Sequence, residues 1–573
     1  MTNRNVVENR TCQNCKTAFP IYDSDVVFYD KIGVPKPTFC PECRMVRRMV
    51  WRNVRSLYKR PCGLCSKTLV TMYPESEAPV YCDTCYSGDG WDPYAVSRDI
   101  DWSKPFLLQL KEIFNIQPRI FQYRIGTVVN SDYGNSVVNS KDAYFAYSVI
   151  DSEHVAYSEN IDKSRDTFDC LSVQKLDQCS WNINSEGNYN CHYVIDSENC
   201  IDSFFLFDCV NCQNCCLSTN QRNQQYVFKN QKLTKEAYQQ ALQELNLSTF
   251  SGFSNAQKEY NSLCKNAIHR YANILSSENV SGDLISNSKN IDNSFDIKDA
   301  EQISNSYRII KAKDLMDCCW SLSGELSYES LSPSGNAFKQ NFSVLCLGSK
   351  DMNYSLFCKN CSDCFGCVGL KNAKYCILNK QYSKEEYFVL IEKIKKHMSD
   401  APYVDEYNRV YSYGEFLPYC FSPYAYNETV AHDFFPLTKA DAERSGYNWK
   451  DREKRDYAIS TSTDQLPDAI EDVTDDILTQ TIGCPNNGNA EFQCTSAYRI
   501  TADELQFYKQ KGLPLPRKCP NCRHYERLAY RNQNKLYTRG CMFPTCGNTF
   551  ETTYAPDRTE KVYCETCYKR EVL

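Results

Sequence analysis

The chain has 573 residues, 34 of them cysteine, and a formal net charge of −6. That length is too great for a single core, and 13 % aromatic residues exclude a disordered chain. No apolar run is long enough to span a membrane, and the opening MTNRNVVENR lacks the apolar core of a signal peptide. A cytoplasmic protein is therefore expected, with its cysteines in metal sites or as buried thiols rather than in disulfides.

Residues 1–92 carry four strict C-x-x-C pairs: Cys12/Cys15, Cys40/Cys43, Cys62/Cys65 and Cys82/Cys85. Two such pairs bring four thiolates onto one tetrahedral ion, which suits zinc, so this module predicts two zinc ions. Sequential pairing is favoured over a cross-brace, because Cys62–Cys85 reads as knuckle, hairpin, knuckle. Four-thiolate sites leave no open position, so the metal contributes folding energy rather than chemistry.

Between the second and third pairs, Pro41 sits where a helix begins. A helix over 41–55 puts Arg44, Arg47, Arg48, Arg52 and Arg55 in one arc of about 140°. Met45, Val46, Met49, Val50 and Val54 then face the ribbons, and Trp51 lies at the basic arc, placed to stack on a base.

A helical linker (93–127) leads to a change of text at about residue 128. Units of eleven to thirteen residues, such as SEHVAYSENID and SEGNYNCHYVID, pair a polar turn with a short β-prone run. No such unit folds alone, so stacking is required. The fold class expected is mainly β: two parallel β-helix or β-solenoid arrays, 128–231 and 281–382, with about 23 residues per coil. Asn and Ser ladders are expected at the turns, with Tyr, Phe, Val and Cys inside. The arrays align at an offset of 149 residues, and a helix follows each, capped by Thr234 (232–280, with a linking helix near 254–273) and by the Ser383/Glu386 capping box (383–400). The run Cys358, Cys361, Cys364, Cys367 has the spacing of iron–sulfur ligands, but small polarizable thiols also suit a solenoid core, which is the favoured reading.

Residues 401–483 are irregular and acidic, with a helix expected in DAIEDVTDDIL. Residues 484–573 then repeat the first module. Cys519, Cys522 and Cys541 match Cys40, Cys43 and Cys62; Cys546, Cys564 and Cys567 complete the last site; Arg523, Arg527 and Arg531 match Arg44, Arg48 and Arg52. Cys494 lacks a close partner, so Cys484 either loops in as fourth ligand or leaves that site weak. His524 is expected on the surface. About four zinc ions per chain follow.

Residues 10–86 hold 12 basic and 7 acidic residues, +5, and residues 484–573 hold 14 and 9, again +5, which leaves −16 for the rest. Two basic ends flank an acidic middle. The leading expectation is a nucleic-acid binder, RNA or DNA, that grips phosphates through Arg44, Arg47, Arg48, Arg52, Arg55, Arg523, Arg527 and Arg531, with Trp51 stacking. The alternative is a scaffold whose basic faces dock on the acidic arrays of the same or a neighbouring chain. No nucleotide loop, G-x-S-x-G or H-E-x-x-H is present, so no enzyme is expected; a β-helix hydrolase is a remote alternative, because Asp recurs at turn positions of every unit.

The stretches FCPECR, RNVRSLYKRPC, VYCDTCY, CFGCVGLKNAKYCILNKQYSKEEY, SPYAYNETVA, FPLTKADAERSGYNWKD and LPLPRKCPNCRHYERLAYRN together resemble an uncharacterised family of cysteine-rich, zinc-ribbon-ended proteins common in small-genome bacteria of the Candidate Phyla Radiation. The resemblance covers nearly the whole chain and implies the same domain order. It implies no activity. In that pattern a Cys closer to Cys494 is usual, and Ala490 stands near that place here.

Overall fold

A computed structural model describes residues 4–76, 78–451 and 457–573. Strand dominates, in one sheet of 14 strands (Arg124–Ile125 to Gln231–Lys232) and one of 12 (Ile274–Leu275 to Lys380–Gln381), both parallel except at their closing hairpins. Among the described residues no helix is long and apolar enough to cross a membrane.

The register of the first array corrects the expected coil. Tyr147 pairs with Asn135 on one side and Glu159 on the other, and Glu153 pairs with Lys141 and Arg165, so the chain returns to register every 12 residues, not 23. One sequence unit is a whole rung. The underlying period is three. Ser148, Asp151, His154, Tyr157 and Asn160 all hold φ between 47° and 59°. The residue after each, Val149, Ser152, Val155, Ser158 and Ile161, is buried. An ordinary strand alternates its side chains with period two; a left-handed residue at every third position breaks that alternation and turns every third side chain inward. The left-handed region costs an L-residue about 1–2 kcal/mol, least for Asn and Asp, which explains why these residues crowd the arrays. The second array follows the same rule: Asp296, Asp299, Gln302, Asn305 and Arg308 precede the buried Ile297, Ala300, Ile303, Ser306 and Ile309.

Interior serines accept from backbone N–H groups that the short strands leave unpaired, and donate to carbonyls that also accept a backbone N–H. Ser152 Oγ donates to the Ile150 carbonyl (2.6 Å) and accepts from the Ser164 N–H (2.9 Å); Ser164 Oγ donates to Asp162 (2.9 Å) and accepts from Leu176 (3.0 Å). The serine ladders are thus inside. Cysteine fills the same role more loosely, as Cys179 does with the Asp177 carbonyl (3.3 Å) and the Cys191 N–H (3.4 Å). Replacing Ser164 with Val is expected to cost about 1–3 kcal/mol by stranding the buried Leu176 N–H, while the Asp162 carbonyl keeps the Lys175 N–H, and Ser164→Cys clearly less; urea melts of both variants check the ranking.

Outward positions carry the Asn/Asp ladders, for example Asn190 to Asp202 at 2.8 Å. Large aromatics, expected inside, also point outward and are covered by other elements: Trp181 stacks on Tyr193 (4.7 Å), and Phe253 of helix Phe250–Asn266 packs on Tyr193 and Phe205. An interior fed by one side chain per triplet has no room for rings. The capping helices form as expected, Lys235–Leu245 from Thr234 and Lys384–Asp400 from the Ser383/Glu386 box. The acidic helix does not; Ile470–Asp472 and Asp475–Thr479 are short 3-10 turns.

The two ends embrace the middle crosswise. Val80–Tyr81 of the first module pairs with Arg119–Ile120, at the entry to the first array. The matching Lys561–Tyr563 of the second module pairs with Ile268–Arg270, at the entry to the second array. Thr71 donates to the Phe121 carbonyl and Thr552 to the Tyr271 carbonyl, each at 2.6 Å. The arginine helices go the other way: Pro41–Met49 lies on the second array and Pro520–Leu528 on the first. Each module therefore touches both arrays. The modules also meet through Lys535 and Glu42 (2.8 Å) and through Arg55 and Asn521 (3.3 Å).

Candidate metal centres

Each tetrad joins a tight turn to a helix start. In the first, the Cys12 N–H bonds the Thr17 carbonyl (2.9 Å), the Lys16 N–H returns to the Cys12 carbonyl (3.0 Å), and Lys16 takes φ 64°. Cys62 repeats this with Lys67 and Ser66 (φ 61°). The partner pairs open helices: Cys40, Cys82, Cys519 and Cys564 are N-caps, and Pro41 and Pro520 follow two of them in the first turn. A helix N-terminus favours the thiolate over the thiol.

Four groups of four thiols result: Cys12/Cys15/Cys40/Cys43, Cys62/Cys65/Cys82/Cys85, Cys484/Cys494/Cys519/Cys522 and Cys541/Cys546/Cys564/Cys567. Pairing is sequential. The hairpin reading needs adjustment, since Tyr58–Pro61 and Thr68–Thr71 pair around the Cys62 knuckle while Val80–Tyr81 pairs elsewhere. Cys484 does loop in as the missing ligand, through a turn in which the Gly488 N–H points at Cys494 Sγ (3.3 Å).

The sulfur spacing fits zinc. A tetrahedral ion with Zn–S near 2.3 Å sets its sulfurs about 3.8 Å apart. Cys15–Cys40 is 3.6 Å, Cys65–Cys82 3.9 Å, Cys484–Cys522 3.8 Å, Cys494–Cys519 4.0 Å and Cys546–Cys564 3.9 Å. A disulfide would need about 2.05 Å. Asn14 Nδ2 donates to Cys43 Sγ (3.3 Å) and Asn486 Nδ2 to Cys522 Sγ (3.2 Å), the same outer support in both inner sites. The thiols compete for charge: hydrogen bonds from Cys40 and Cys43 pull Cys12 far below the usual thiol range, while Cys12 pushes Cys40 up to about 12. Cys484 and Cys522 do the same to Cys519, and Cys519 pushes Cys484 up to about 12. Four thiolates can share so small a space only around a cation. The chain thus has sites for about four zinc ions.

The arginines expected on phosphates lie elsewhere. Arg44, Arg47, Arg48 and Trp51 are 2, 0, 0 and 2 % exposed, and Arg523 and Arg527 are 4 and 1 %. Arg44 Nη2 meets Asp317 at 2.9 Å; Arg47 forks onto Glu329 (2.8 Å) and Glu415 (2.9 Å) and lies over the Phe39 ring (4.2 Å); Arg48 reaches Asp317 (3.4 Å). In the second module Arg523 meets Asp169 (3.2 Å) and Glu504 (3.1 Å), and Arg527 meets Asp169 (2.6 Å). Both clusters balance, three charges against three and two against two. Trp51 packs on Phe114 and Phe416. A phosphate or base does not reach these six residues in this fold.

Three corrections share one cause, which is docking. The first helix ends at Met49, so Arg52 and Arg55 sit beyond it. Both of its faces are buried, not the apolar one alone. His524 is 3 % exposed and faces Glu159 at 3.8 Å instead of solvent. Arg52, Arg55 and Arg531 remain partly exposed, with Arg52 over Trp320 (4.6 Å) and bonded to Ser148 (3.0 Å), and Arg531 over Phe434 (4.6 Å). Sequence reasoning missed the receiving carboxylates. The available signal was the repeated Asp–Cys step, Asp169-Cys170 and Asp317-Cys318, each a left-handed residue before an interior thiol.

No family model, no curated protein and no solved structure matches the chain.

Proposed function

We propose that the chain is a non-enzymatic, zinc-stapled scaffold: two β-solenoid arrays clamped side by side by zinc-ribbon modules, with the outer array faces left to bind protein partners. The observation that carries this reading is the crosswise docking of both arginine helices on carboxylates of the arrays. The charge that resembles a phosphate grip is neutralised within the chain. The zinc ions hold each helix start at the correct angle, and the arrays supply rigid length. The four-thiolate sites have no open position for water or substrate, which fits a role without catalysis.

The test is binding of zinc-loaded protein to RNA and to single- and double-stranded DNA across a salt series. The expected result is no retardation at low salt. Tight binding that falls steeply with salt, and that disappears when Arg52, Arg55 and Arg531 are changed to Glu, would restore a nucleic-acid function through the arginines that remain partly exposed.

A further inference from the structure

The interior of the second array changes character along its length. Its early rungs form a cluster of nine buried residues, of which eight are Ile, Leu or Ala and only Cys318 carries sulfur. The last rungs form another cluster of nine, and there seven carry sulfur: six cysteines and Met352. The inward positions are the same kind in both, so the fold does not demand thiols. Cys358, Cys361, Cys364 and Cys367 fill the inward positions of one 12-residue rung, all 0–2 % exposed. Cys376 lies in register with Cys364, and strands in register are about 4.8 Å apart. Cys346 precedes Cys358 by one rung. The thiols all point into the same interior, and each donates to a backbone carbonyl nine residues on: Cys358 to Cys367 (3.7 Å), Cys361 to Leu370 (3.4 Å), Cys364 to Ala373 (4.0 Å) and Cys367 to Cys376 (3.3 Å).

We propose that this thiol-lined end of the second array binds a soft monovalent metal ion of the copper(I) class, held by Cys358, Cys361, Cys364 and Cys367 with Cys346 and Cys376 in the adjoining rungs. Sulfur and hydrocarbon dominate the lining, with Tyr94 packed against it; the oxygens present, backbone carbonyls and the Ser349 and Ser355 hydroxyls, already hold hydrogen bonds. Hard ions such as Ca²⁺ or Mg²⁺ are held chiefly by carboxylate oxygens, and no Asp or Glu is among the buried residues of these rungs. An iron–sulfur cluster needs space for inorganic sulfide, and this interior is filled by its own side chains. Zinc takes four sulfurs converging from two loops, as in the ribbons; here the thiols sit one after another around a single rung. That suits an ion content with two or three thiolates. On binding, each ligating thiol releases its proton to solvent and becomes a thiolate on the ion; no electron is transferred. The end of the first array carries a similar set of buried thiols, Cys200, Cys209, Cys212 and Cys215, in one interior cluster.

The experiment uses the full-length, reduced, zinc-loaded protein, titrated anaerobically with copper(I), with copper and zinc per chain measured after desalting. Expected is copper uptake with zinc held at four per chain. In the variant Cys358→Ser, Cys361→Ser, Cys364→Ser, Cys367→Ser, uptake falls by about half, since the first array retains its own set. Serine suits these positions: Ser349 and Ser355 fill the inward sites one rung earlier and already accept from the N–H groups of Cys361 and Cys367. Copper uptake matched by zinc release, and equal in variant and wild type, overturns the proposal. Should the variant misfold, thiol alkylation of the wild type in mild denaturant decides. Protection of Cys358–Cys367 that depends on copper(I) supports the site, and alkylation at equal rates with and without copper overturns it.

Discussion

Chelating the zinc is expected to undo the clamp at both ends while leaving the arrays wound. A structural four-thiolate site contributes on the order of 10–16 kcal/mol of apparent folding energy near neutral pH, and the modules' own secondary-structure elements are short. Their strands are two to five residues long, apart from Val6–Thr11, and their arginine helices have nine residues each. The arrays have separate interior clusters and their own serine ladders. Trypsin should therefore leave the zinc-loaded chain intact at Arg44, Arg47, Arg48, Arg523 and Arg527, which are buried. After chelation it should cut there rapidly, while far-ultraviolet circular dichroism retains most of its β signal. Cys43→Ala and Cys522→Ala should each release about one zinc and expose only their own module. Continued protection at these arginines after all zinc is removed would separate metal binding from docking and defeat the account.

The second large effect is electrostatic. Asp317 receives Arg44 and Arg48 with no exposure of its own. Asp317→Ala leaves two buried guanidinium groups without that carboxylate, and breaking such a cluster by removing one partner costs about 3–5 kcal/mol. Asp169→Ala should cost a similar amount in the other module, since Asp169 receives both Arg523 and Arg527. The control is the surface ladder: Lys141 and Glu153 are 2.6 Å apart but half exposed, so Lys141→Ala should cost less than about 1 kcal/mol. Replacing both sides together, Asp317→Leu with Arg44→Met and Arg48→Met, should recover most of the loss, because a packed apolar substitute does not bear the desolvation cost of the ions. Chemical denaturation of the four proteins ranks these effects. Equal, small losses for Asp317→Ala and Lys141→Ala would mean that the helix is not docked on the array.

The metal sites were legible because ligand chemistry leaves a local spacing. Seven of the eight pairs read directly as C-x-x-C or as its two-residue extension Cys541/Cys546, and the duplicated module pointed to Cys494 as a ligand in need of a partner. The partner itself, Cys484, depends on a loop geometry that spacing does not encode. The repeat was legible as a unit of eleven to thirteen residues, yet the coil was doubled. The cue that settles it is small: Ser, Cys, Val, Ala or Ile at every third position, as in Val149, Ser152, Val155, Ser158 and Ile161. A period of three belongs neither to a helix nor to a strand, and it arises only because left-handed residues recur. The arginine helices were legible as amphipathic and basic, but their destination was not. Composition shows that ends and middle carry opposite charge; only the fold shows that the two meet inside one chain, with each helix crossing to the array farther from it in sequence.

Hydrogen–deuterium exchange over residues 41–49 and 520–528, with and without zinc, decides whether the two arginine helices dock on the arrays. Both helices are expected to exchange slowly in the zinc-loaded chain, together with the receiving strand Lys313–Leu322 and with Arg165–Phe168, which ends beside Asp169, and all four segments to speed up on chelation. Fast exchange of both helices in the zinc-loaded protein, slowed only by added RNA or DNA, would contradict that docking and return the arginines to nucleic acid.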